Sequence, residues 1–240
     1  MKLGLVVDLD TCVGCHACAV ACKEWNAAAP VAGGAPDYAP QGETPGGVWF
    51  NRVRHFEYTA DAASGHLNLS KTINVPMSCM HCEQADCVTV CPTGASYKRA
   101  EDGIVLIDPE RCMGCNYCAW ACPYGARELD EEAGVMRKCT LCVDRIYDEA
   151  LPPAERKPAC VLACPAHARH FGDFDDPGSV VSRLTAERGG GGLMDDLGYR
   201  PVNRYLPPRA PAEVDTSAQR ARAPSLKARL GALVNRIVEL

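Results

Sequence analysis

Sixteen cysteines, arranged in four groups of four, constrain this 240-residue chain more than any other feature of its sequence. Groups one and three share the spacing C-x2-C-x2-C-x3-C, group two widens one gap to four residues, and group four is split by a long insert. No cysteine is left over, which argues against a free nucleophile or a redox-switch thiol. In chain order the groups are Cys12, Cys15, Cys18 and Cys22; Cys79, Cys82, Cys87 and Cys91; Cys112, Cys115, Cys118 and Cys122; and Cys139, Cys142, Cys160 and Cys164.

The residues that follow the cysteine groups repeat as well. Groups two, three and four each end in Cys-Pro, followed by the similar stretches PTGAS, PYGAR and PAHAR. Group one departs from this pattern, because Lys23 follows its last cysteine. Proline fixes the backbone φ angle and removes one N–H donor, so a fixed turn is predicted after three of the four groups.

Two short hairpins are predicted between the cysteine groups. Ser96 to Lys98 precedes the turn Glu101 to Gly103 and the apolar run Ile104 to Ile107, which leads straight into group three. After group three, Glu131 to Gly134 supplies a comparable turn. Turn residues between short apolar runs indicate hairpins. A small strand pair between cysteine loops is therefore the predicted repeating unit.

Composition and charge narrow the class of protein. The net charge is −5 without a basic half, which disfavours nucleic acid as a partner. Aromatic residues are only 6% of the sequence, a thin supply for a conventional core, so a bound metal is expected to help to hold the fold. No run approaches the roughly 20 apolar residues of a membrane span.

The N-terminal residues indicate where the protein resides. Met1 to Asp10 is predicted to form a strand and not an export signal, and neither an apolar signal region nor a twin-arginine pair is expected there. We therefore expect a soluble chain in a reducing compartment. Cysteines there are metal ligands more often than disulfides.

The cysteine spacing predicts four cubane [4Fe–4S] clusters. Bacterial two-cluster ferredoxins use C-x2-C-x2-C-x3-C-P, and the fourth cysteine of each motif ligates the other cluster. Two such motifs therefore make a reciprocal pair of clusters.

Other metal sites account for the spacing less well. Zinc uses pairs of cysteines but gains nothing from a third cysteine three residues on. Cys12 to His16 matches the C-x-x-C-H signature of c-type haem, yet the match occurs once and the run continues with ferredoxin spacing. A Rieske centre needs histidine in place of two cysteines, and here the cysteine set is complete. Trp120, within group three, is expected to pack beside a cluster, with an electron-relay role as the alternative.

Three runs of the sequence together resemble a known family. They are CMGCNYCAWACPYGARELDEE, KCTLCVDRIYDEALPPAERKPACVLACPAHARHFGD and the opening LGLVVDLDTCVGCHACAVACKEWN. Over about residues 2 to 206 the chain resembles the iron–sulfur subunits of membrane-bound molybdopterin oxidoreductases, such as dimethyl sulfoxide, polysulfide and tetrathionate reductases. The opening run resembles most closely the cytoplasm-facing sulfite dehydrogenase branch.

The resemblance implies a ligand pairing that local spacing does not show. Each cluster takes three cysteines from one group and its last ligand from another. The implied sets are Cys12, Cys15, Cys18 and Cys164 for cluster 1; Cys139, Cys142, Cys160 and Cys22 for cluster 2; Cys79, Cys82, Cys87 and Cys122 for cluster 3; and Cys112, Cys115, Cys118 and Cys91 for cluster 4.

The resemblance also implies an architecture. The fold class is α+β, with two ferredoxin-like units, each holding two clusters, plus loop inserts and a C-terminal helical tail. The outer unit comprises residues 1–72 and 132–206, and the inner unit comprises residues 73–131. Residues 207–240 form a linker and an amphipathic tail helix.

By the same resemblance, the chain transfers single electrons and carries no substrate chemistry of its own. Its implied partners are a molybdopterin catalytic subunit, facing the outer unit, and a quinone-reactive integral membrane subunit, facing the inner unit. Sulfite oxidation is the favoured reaction. A dimethyl sulfoxide, polysulfide or tetrathionate reductase, a free-standing polyferredoxin and a zinc-stabilised interaction module are the alternatives. Attachment through the membrane subunit to the cytoplasmic face of the bacterial inner membrane is expected.

The remaining segments give three further predictions. Residues 27–47, rich in Ala, Pro and Gly, form either a partner contact or a surface excursion. A helix begun at Ser179 should end at the glycine run from Gly189. Residues 225–240 place leucines and other aliphatic residues on one helical face, which indicates either a docking helix or one that frays alone.

Overall fold

The structure, a computed structural model, describes residues 1–26, 48–59 and 70–209. Met1–Pro208 form one compact unit. The predictions for residues 27–47 and 225–240 fall outside the described residues. Within the described ranges, no helix is long and apolar enough to cross a membrane.

The chain alternates short strands with short helices, so its mixed helix and strand content is confirmed. The strands are β1 (Leu3–Asp8), β2 (Asn51–Thr59), β3 (Ser70–Ser78), β4 (Ser96–Lys98), β5 (Val105–Ile107), β6 (Glu128–Asp130), β7 (Val135–Arg137), β8 (Arg169–Asp173) and β9 (Arg204–Leu206). The α-helices are α1 (Ala17–Asn26), α2 (Asp86–Thr89), α3 (Tyr117–Trp120), α4 (Val143–Ile146), α5 (Ala159–Leu162) and α6 (Val180–Arg188), and 3-10 turns cover Pro153–Glu155 and Asp195–Leu197.

Strand β1 is the centre of a three-stranded sheet with the order β8-β1-β9. All six of its residues are buried, as expected for an apolar run that is covered on both faces. It pairs antiparallel with β8, from Leu3 opposite Asp173 to Val7 opposite Arg169, and parallel with β9. The N-terminal strand predicted from the sequence is thus confirmed, and it joins the start of the chain to segments near residues 170 and 205.

The two predicted hairpins are confirmed. Strand β4 pairs antiparallel with β5, and β6 pairs antiparallel with β7, three residue pairs in each case. The turn of the first hairpin is fixed by Asp102, which is fully buried. Its carboxylate accepts hydrogen bonds from the Ile104 backbone N–H at 3.0 Å and from the Tyr147 hydroxyl at 2.8 Å. Strands β2 and β3 form a longer antiparallel pair.

Helix α6 has the ends that its sequence predicts. The Ser179 hydroxyl accepts a hydrogen bond from the Ser182 backbone N–H at 3.2 Å, as an N-cap does. Gly189 ends the helix with φ 64°, in the left-handed region that glycine adopts without strain. The packed face of α6 includes Val181, which is fully buried against Val6 and Leu206.

The apolar core is divided into three small clusters of buried residues. The largest contains two cysteines, Cys18 and Cys160, beside Leu5, Ile104 and Leu141. The core therefore surrounds the cysteine loops and does not form a separate layer away from them.

Candidate iron–sulfur cluster sites

Each cysteine loop turns through the same unusual backbone conformation. The residue directly before the second cysteine has a positive φ in all four groups: Gly14 at 70°, His81 at 47°, Gly114 at 68° and Leu141 at 57°. A left-handed conformation is uncommon for residues other than glycine, and it persists only where the surroundings fix it. The third residue after each Cys-Pro cysteine is also left-handed, at Gly94, Gly125 and His167. The four groups therefore share one loop geometry as well as one spacing.

Backbone N–H groups in these loops donate hydrogen bonds to cysteine sulfurs. The donor and Sγ atoms lie 3.3 to 3.5 Å apart. Such bonds stabilise a thiolate and are one means by which proteins set the properties of iron–sulfur clusters. The pairs are His81 to Cys79, Ser96 to Cys91, Met136 to Cys112, Leu141 to Cys139 and Ala168 to Cys164.

One cavity is lined by the four cysteines expected for cluster 4, which are Cys91, Cys112, Cys115 and Cys118. Its remaining wall includes Ser96 and apolar side chains from the hairpins β4–β5 and β6–β7. Cys91 belongs to group two and the other three belong to group three. The structure thus brings the end of one group beside the body of the next.

A second cavity is lined by the four cysteines expected for cluster 2. Cys22 at the middle of α1 lies there with Cys139, Cys142 and Cys160 of group four. Burial raises the pKa of Cys22 well above its usual value, and the nearby thiols of Cys139, Cys160 and Cys142 raise it further. Helix α1 packs against α5, which carries Cys160.

The cysteines expected for the other two clusters are also neighbours. Burial and then the thiols of Cys79, Cys87 and Cys122 raise the pKa of Cys82 to about 12. These are the four residues expected for cluster 3.

For cluster 1, burial raises the pKa of Cys12, and the thiols of Cys18 and Cys164 contribute in the same direction. Cys15, the remaining cysteine of that set, is exposed. Cys164, the last cysteine of group four, thus lies near Cys12 of group one.

The residues present fit a large, acceptor-rich inorganic group. Six buried side-chain atoms that can donate hydrogen bonds have no partner within residues 1–26, 48–59 and 70–209: His16 Nδ1, Asn51 Nδ2, His81 Nε2, Ser96 Oγ, Arg127 Nη1 and Arg169 Nε. Asn51, Ser96 and Arg169 line the two cysteine cavities. Buried donors are seldom left unpaired. Sulfide and thiolate sulfurs of a [4Fe–4S] cluster would supply acceptors at these positions.

The cysteine groups differ in how far the residue after their first cysteine is exposed to solvent. In groups one and three the residue after the first cysteine is open to solvent, with Val13 67% and Met113 64% exposed, whereas Met80 in group two is 1% exposed.

Trp120 differs from its prediction, because it is 78% exposed and does not pack into the interior. Its ring lies 5.6 Å from that of Tyr117 at the other end of α3.

The sequence patterns assigned no role to three buried basic residues, Arg127, Lys138 and Arg169. A signal for two of them was present. Arg127 and Arg169 each stand five residues after the cysteine of a Cys-Pro pair, as the final residues of PYGAR and PAHAR. A basic residue at one repeated distance from a ligand could have been singled out.

The tight turn at Gly114 gives a first prediction. A Cβ there would lie 2.6 Å from the Gly134 carbonyl oxygen, whereas a Cβ at Gly125 would meet nothing within 4 Å. Both glycines have positive φ, so alanine costs each about 1–2 kcal/mol in backbone strain, and only Gly114→Ala adds a backbone clash. We expect G114A to lose its cluster absorbance at a clearly lower denaturant concentration than G125A. Equal losses in the two variants would contradict the clash.

Comparison with known proteins first defines the class. A model described as a 4Fe-4S dicluster domain matches residues 70–174, and one described as a 4Fe-4S binding domain matches residues 9–25. The second match includes Cys12 to His16, so that run is part of a 4Fe–4S motif and not a haem attachment site. The chain is a ferredoxin-type 4Fe–4S protein, and its sixteen cysteines are consistent with four such clusters.

The curated relatives then define the family. A subunit of the sulfite dehydrogenase of Allochromatium vinosum is 55% identical over 87% of this chain and 84% of its own length. The electron transfer subunit of the thiosulfate reductase of Salmonella typhi is 41% identical over 75% of this chain and 80% of its own. A component of the anaerobic dimethyl sulfoxide reductase of Escherichia coli is 37% identical over 73% of this chain and 75% of its own. The protein belongs to this family of iron–sulfur electron-transfer subunits of sulfur-compound oxidoreductases.

Proposed function

We propose that this chain carries electrons between a molybdopterin catalytic subunit and a quinone-reactive membrane subunit in a complex that oxidises sulfite. The observation that carries the proposal is the grouping of cysteines from different motifs around shared cavities in one compact unit. The 55% identity to a subunit of a sulfite dehydrogenase supports the choice of sulfite.

The proposed ligand sets are the four implied by the family resemblance. The two cysteine-lined cavities support the sets for clusters 2 and 4, and the neighbouring thiols of Cys82 and Cys12 support those for clusters 3 and 1. When bound, the clusters supply one-electron redox chemistry. The loops contribute N–H donors to the ligand sulfurs, and the surrounding apolar side chains exclude water from them.

The ends of the electron path are proposed to lie at clusters 1 and 4. Group one supplies three ligands to cluster 1, and group three supplies three ligands to cluster 4. These two groups carry the exposed side chains Val13, Met113, Tyr117 and Trp120. Cluster 1 would then face the catalytic subunit and cluster 4 the membrane subunit. The proposal places the chain peripherally on the cytoplasmic face of the inner membrane, attached through the membrane subunit.

An anaerobic assay of the purified complex tests this function. Sulfite should reduce the clusters, seen as bleaching of their visible absorbance, and a quinone analogue should then reoxidise them. Dimethyl sulfoxide, polysulfide or tetrathionate added to the chemically reduced complex should leave the clusters reduced. Reoxidation by one of these compounds without any reduction by sulfite would instead assign a reductase.

A free-standing polyferredoxin is distinguished by purification. The proposed function requires the chain to be recovered with a catalytic and a membrane subunit after gentle solubilisation. Recovery of the cluster-loaded chain alone, with no partner attached, would reject the respiratory complex while leaving the iron–sulfur assignment intact.

A further inference from the structure

Three basic side chains are buried among the cysteine loops, at Arg127, Lys138 and Arg169. Their exposed fractions are 5%, 3% and 4%. None of them forms an ion pair with a carboxylate within residues 1–26, 48–59 and 70–209. A buried charge is costly unless an opposite charge compensates it, so the compensating groups must be found.

Arg127 lies between the ligands proposed for clusters 3 and 4. Its Nη2 donates to Cys87 Sγ at 2.9 Å, and the thiol of Cys118 is a further neighbour of its charge. Burial opposes its charge, but the thiols of Cys87, Cys79 and Cys118 outweigh that effect and raise its pKa. Its Nη1 has no hydrogen-bond partner in the part of the chain that the structure describes. The guanidinium therefore contacts a proposed ligand of cluster 3 and lies near a proposed ligand of cluster 4.

Arg169 occupies the equivalent place between clusters 1 and 2. Its Nη1 donates to Asn51 Oδ1 at 3.1 Å. The thiols of Cys160 and then Cys18 are the strongest of the charged neighbours that raise its pKa. Cys18 is a proposed ligand of cluster 1 and Cys160 of cluster 2. The Nε of Arg169 has no hydrogen-bond partner among the described residues, and the side chain lines the cluster 2 cavity.

Lys138 lies at the remaining junction, between clusters 2 and 3. Its Nζ donates to the Cys139 carbonyl oxygen at 2.7 Å and also to that of Val105. Burial lowers the pKa of Lys138. The thiols of Cys79, a proposed ligand of cluster 3, and Cys139, a proposed ligand of cluster 2, act in the opposite direction and favour its charged form. This side chain thus links the two proposed units through the β5 strand and the start of group four.

We propose that these residues are positioning residues that act through the ligand sulfurs, one buried cation at each of the three junctions between successive clusters. Reduction adds a negative charge to a cluster, and a fixed cation in a water-excluded site stabilises the reduced form. Each cation should therefore raise the reduction potentials of the two clusters that flank it. The inference rests on the proposed ligand sets, and its test separates the two.

Glutamine variants of the full-length chain, isolated anaerobically with its clusters, test the proposal by EPR-monitored redox titration. In each variant, R127Q, K138Q and R169Q, two of the four midpoint potentials should fall. The expected fall is at least tenfold in the one-electron equilibrium constant, or about 59 mV. R127Q and R169Q should shift two different pairs that together include all four clusters. K138Q should shift one member of each pair.

Matched controls separate charge from packing. Arg127→Lys and Arg169→Lys keep the cation and should shift the potentials by less than half as much. Arg183→Gln removes an exposed cation of helix α6 and should leave all four potentials unchanged, because solvent screens its charge. Potentials that stay in place in the glutamine variants, with full iron and sulfide content, would overturn the proposal without affecting the cluster assignment.

A measurement on the unmodified sequence covers the case in which a glutamine variant loses its clusters. Protein labelled with ¹⁵N in the arginine side chains should show nitrogen hyperfine coupling to its reduced clusters in pulsed EPR, because Arg127 donates directly to a ligand sulfur. Absence of coupling in protein that carries its full complement of iron would reject the contact. An iron content below that of four clusters would instead reject the proposed ligand sets.

Discussion

Replacing Cys22 and Cys160 by alanine together should damage one cluster, the same cluster that either single replacement damages. The reason is the proposed ligand pairing, in which Cys22 of group one completes the site of Cys139, Cys142 and Cys160. Each single variant should either keep a three-iron remnant of that cluster, a loss of about one iron per chain, or lose the whole cluster, a loss of about four irons. The double variant should lose no more than about four.

The matched double variant combines Cys22→Ala with Cys15→Ala. Both residues belong to group one, but they are proposed to serve clusters 2 and 1, so two clusters should be altered, with a loss of up to about eight irons. Iron and sulfide analysis with EPR spin counting measures both outcomes. If the Cys15 and Cys22 pair altered one cluster while the Cys22 and Cys160 pair altered two, each group would hold its own cluster and the reciprocal pairing would be wrong.

Removing all of the clusters should abolish cooperative unfolding. The apolar core is divided among three small clusters of residues, and strands β4 to β7 have three residues each. Arg127, Lys138 and Arg169 would also be left buried without their counter-charges. Structural metal sites contribute on the order of 10 kcal/mol to folding, comparable to the whole stability of a typical domain. The apoprotein should therefore lack a fixed tertiary structure.

Near-UV circular dichroism and a denaturant titration, before and after anaerobic chelation, provide the measurement. Reconstitution with ferrous iron and sulfide should restore both the spectrum and the sharp transition, which controls for chemical damage to the thiols. An apoprotein with an unchanged transition midpoint would show that side-chain packing alone holds the fold.

Local features of the fold followed from the sequence because local chemistry determines them. Ser179 and Gly189 mark the ends of α6 through their own hydrogen bond and backbone conformation. The β4–β5 and β6–β7 hairpins pair residues that are close in the sequence, so their turns were enough to predict them.

Long-range features had no comparable signal. The parallel pairing of Val6 with Arg204 joins distant segments, and neither segment carries a mark of the other. The environment of Trp120 was predicted wrongly for a different reason. Its position between two cysteines indicated a cluster neighbour, but the orientation of α3 turns its side chain to solvent. The buried basic residues were overlooked because a charged residue is most often exposed, and only the loop packing shows otherwise.

The placement of β1 has a consequence for the order of biosynthesis. This strand is made before every other described strand, but its partners β8 and β9 are among the last described segments to be made. At about 5–20 residues per second, roughly 8 to 30 seconds separate the synthesis of β1 from that of β8. The hairpins around groups two and three should close during this interval. Nascent chains should therefore accept their first iron at groups two and three, and the cysteines of group one should stay open to chaperones and oxidants until β8 has been made.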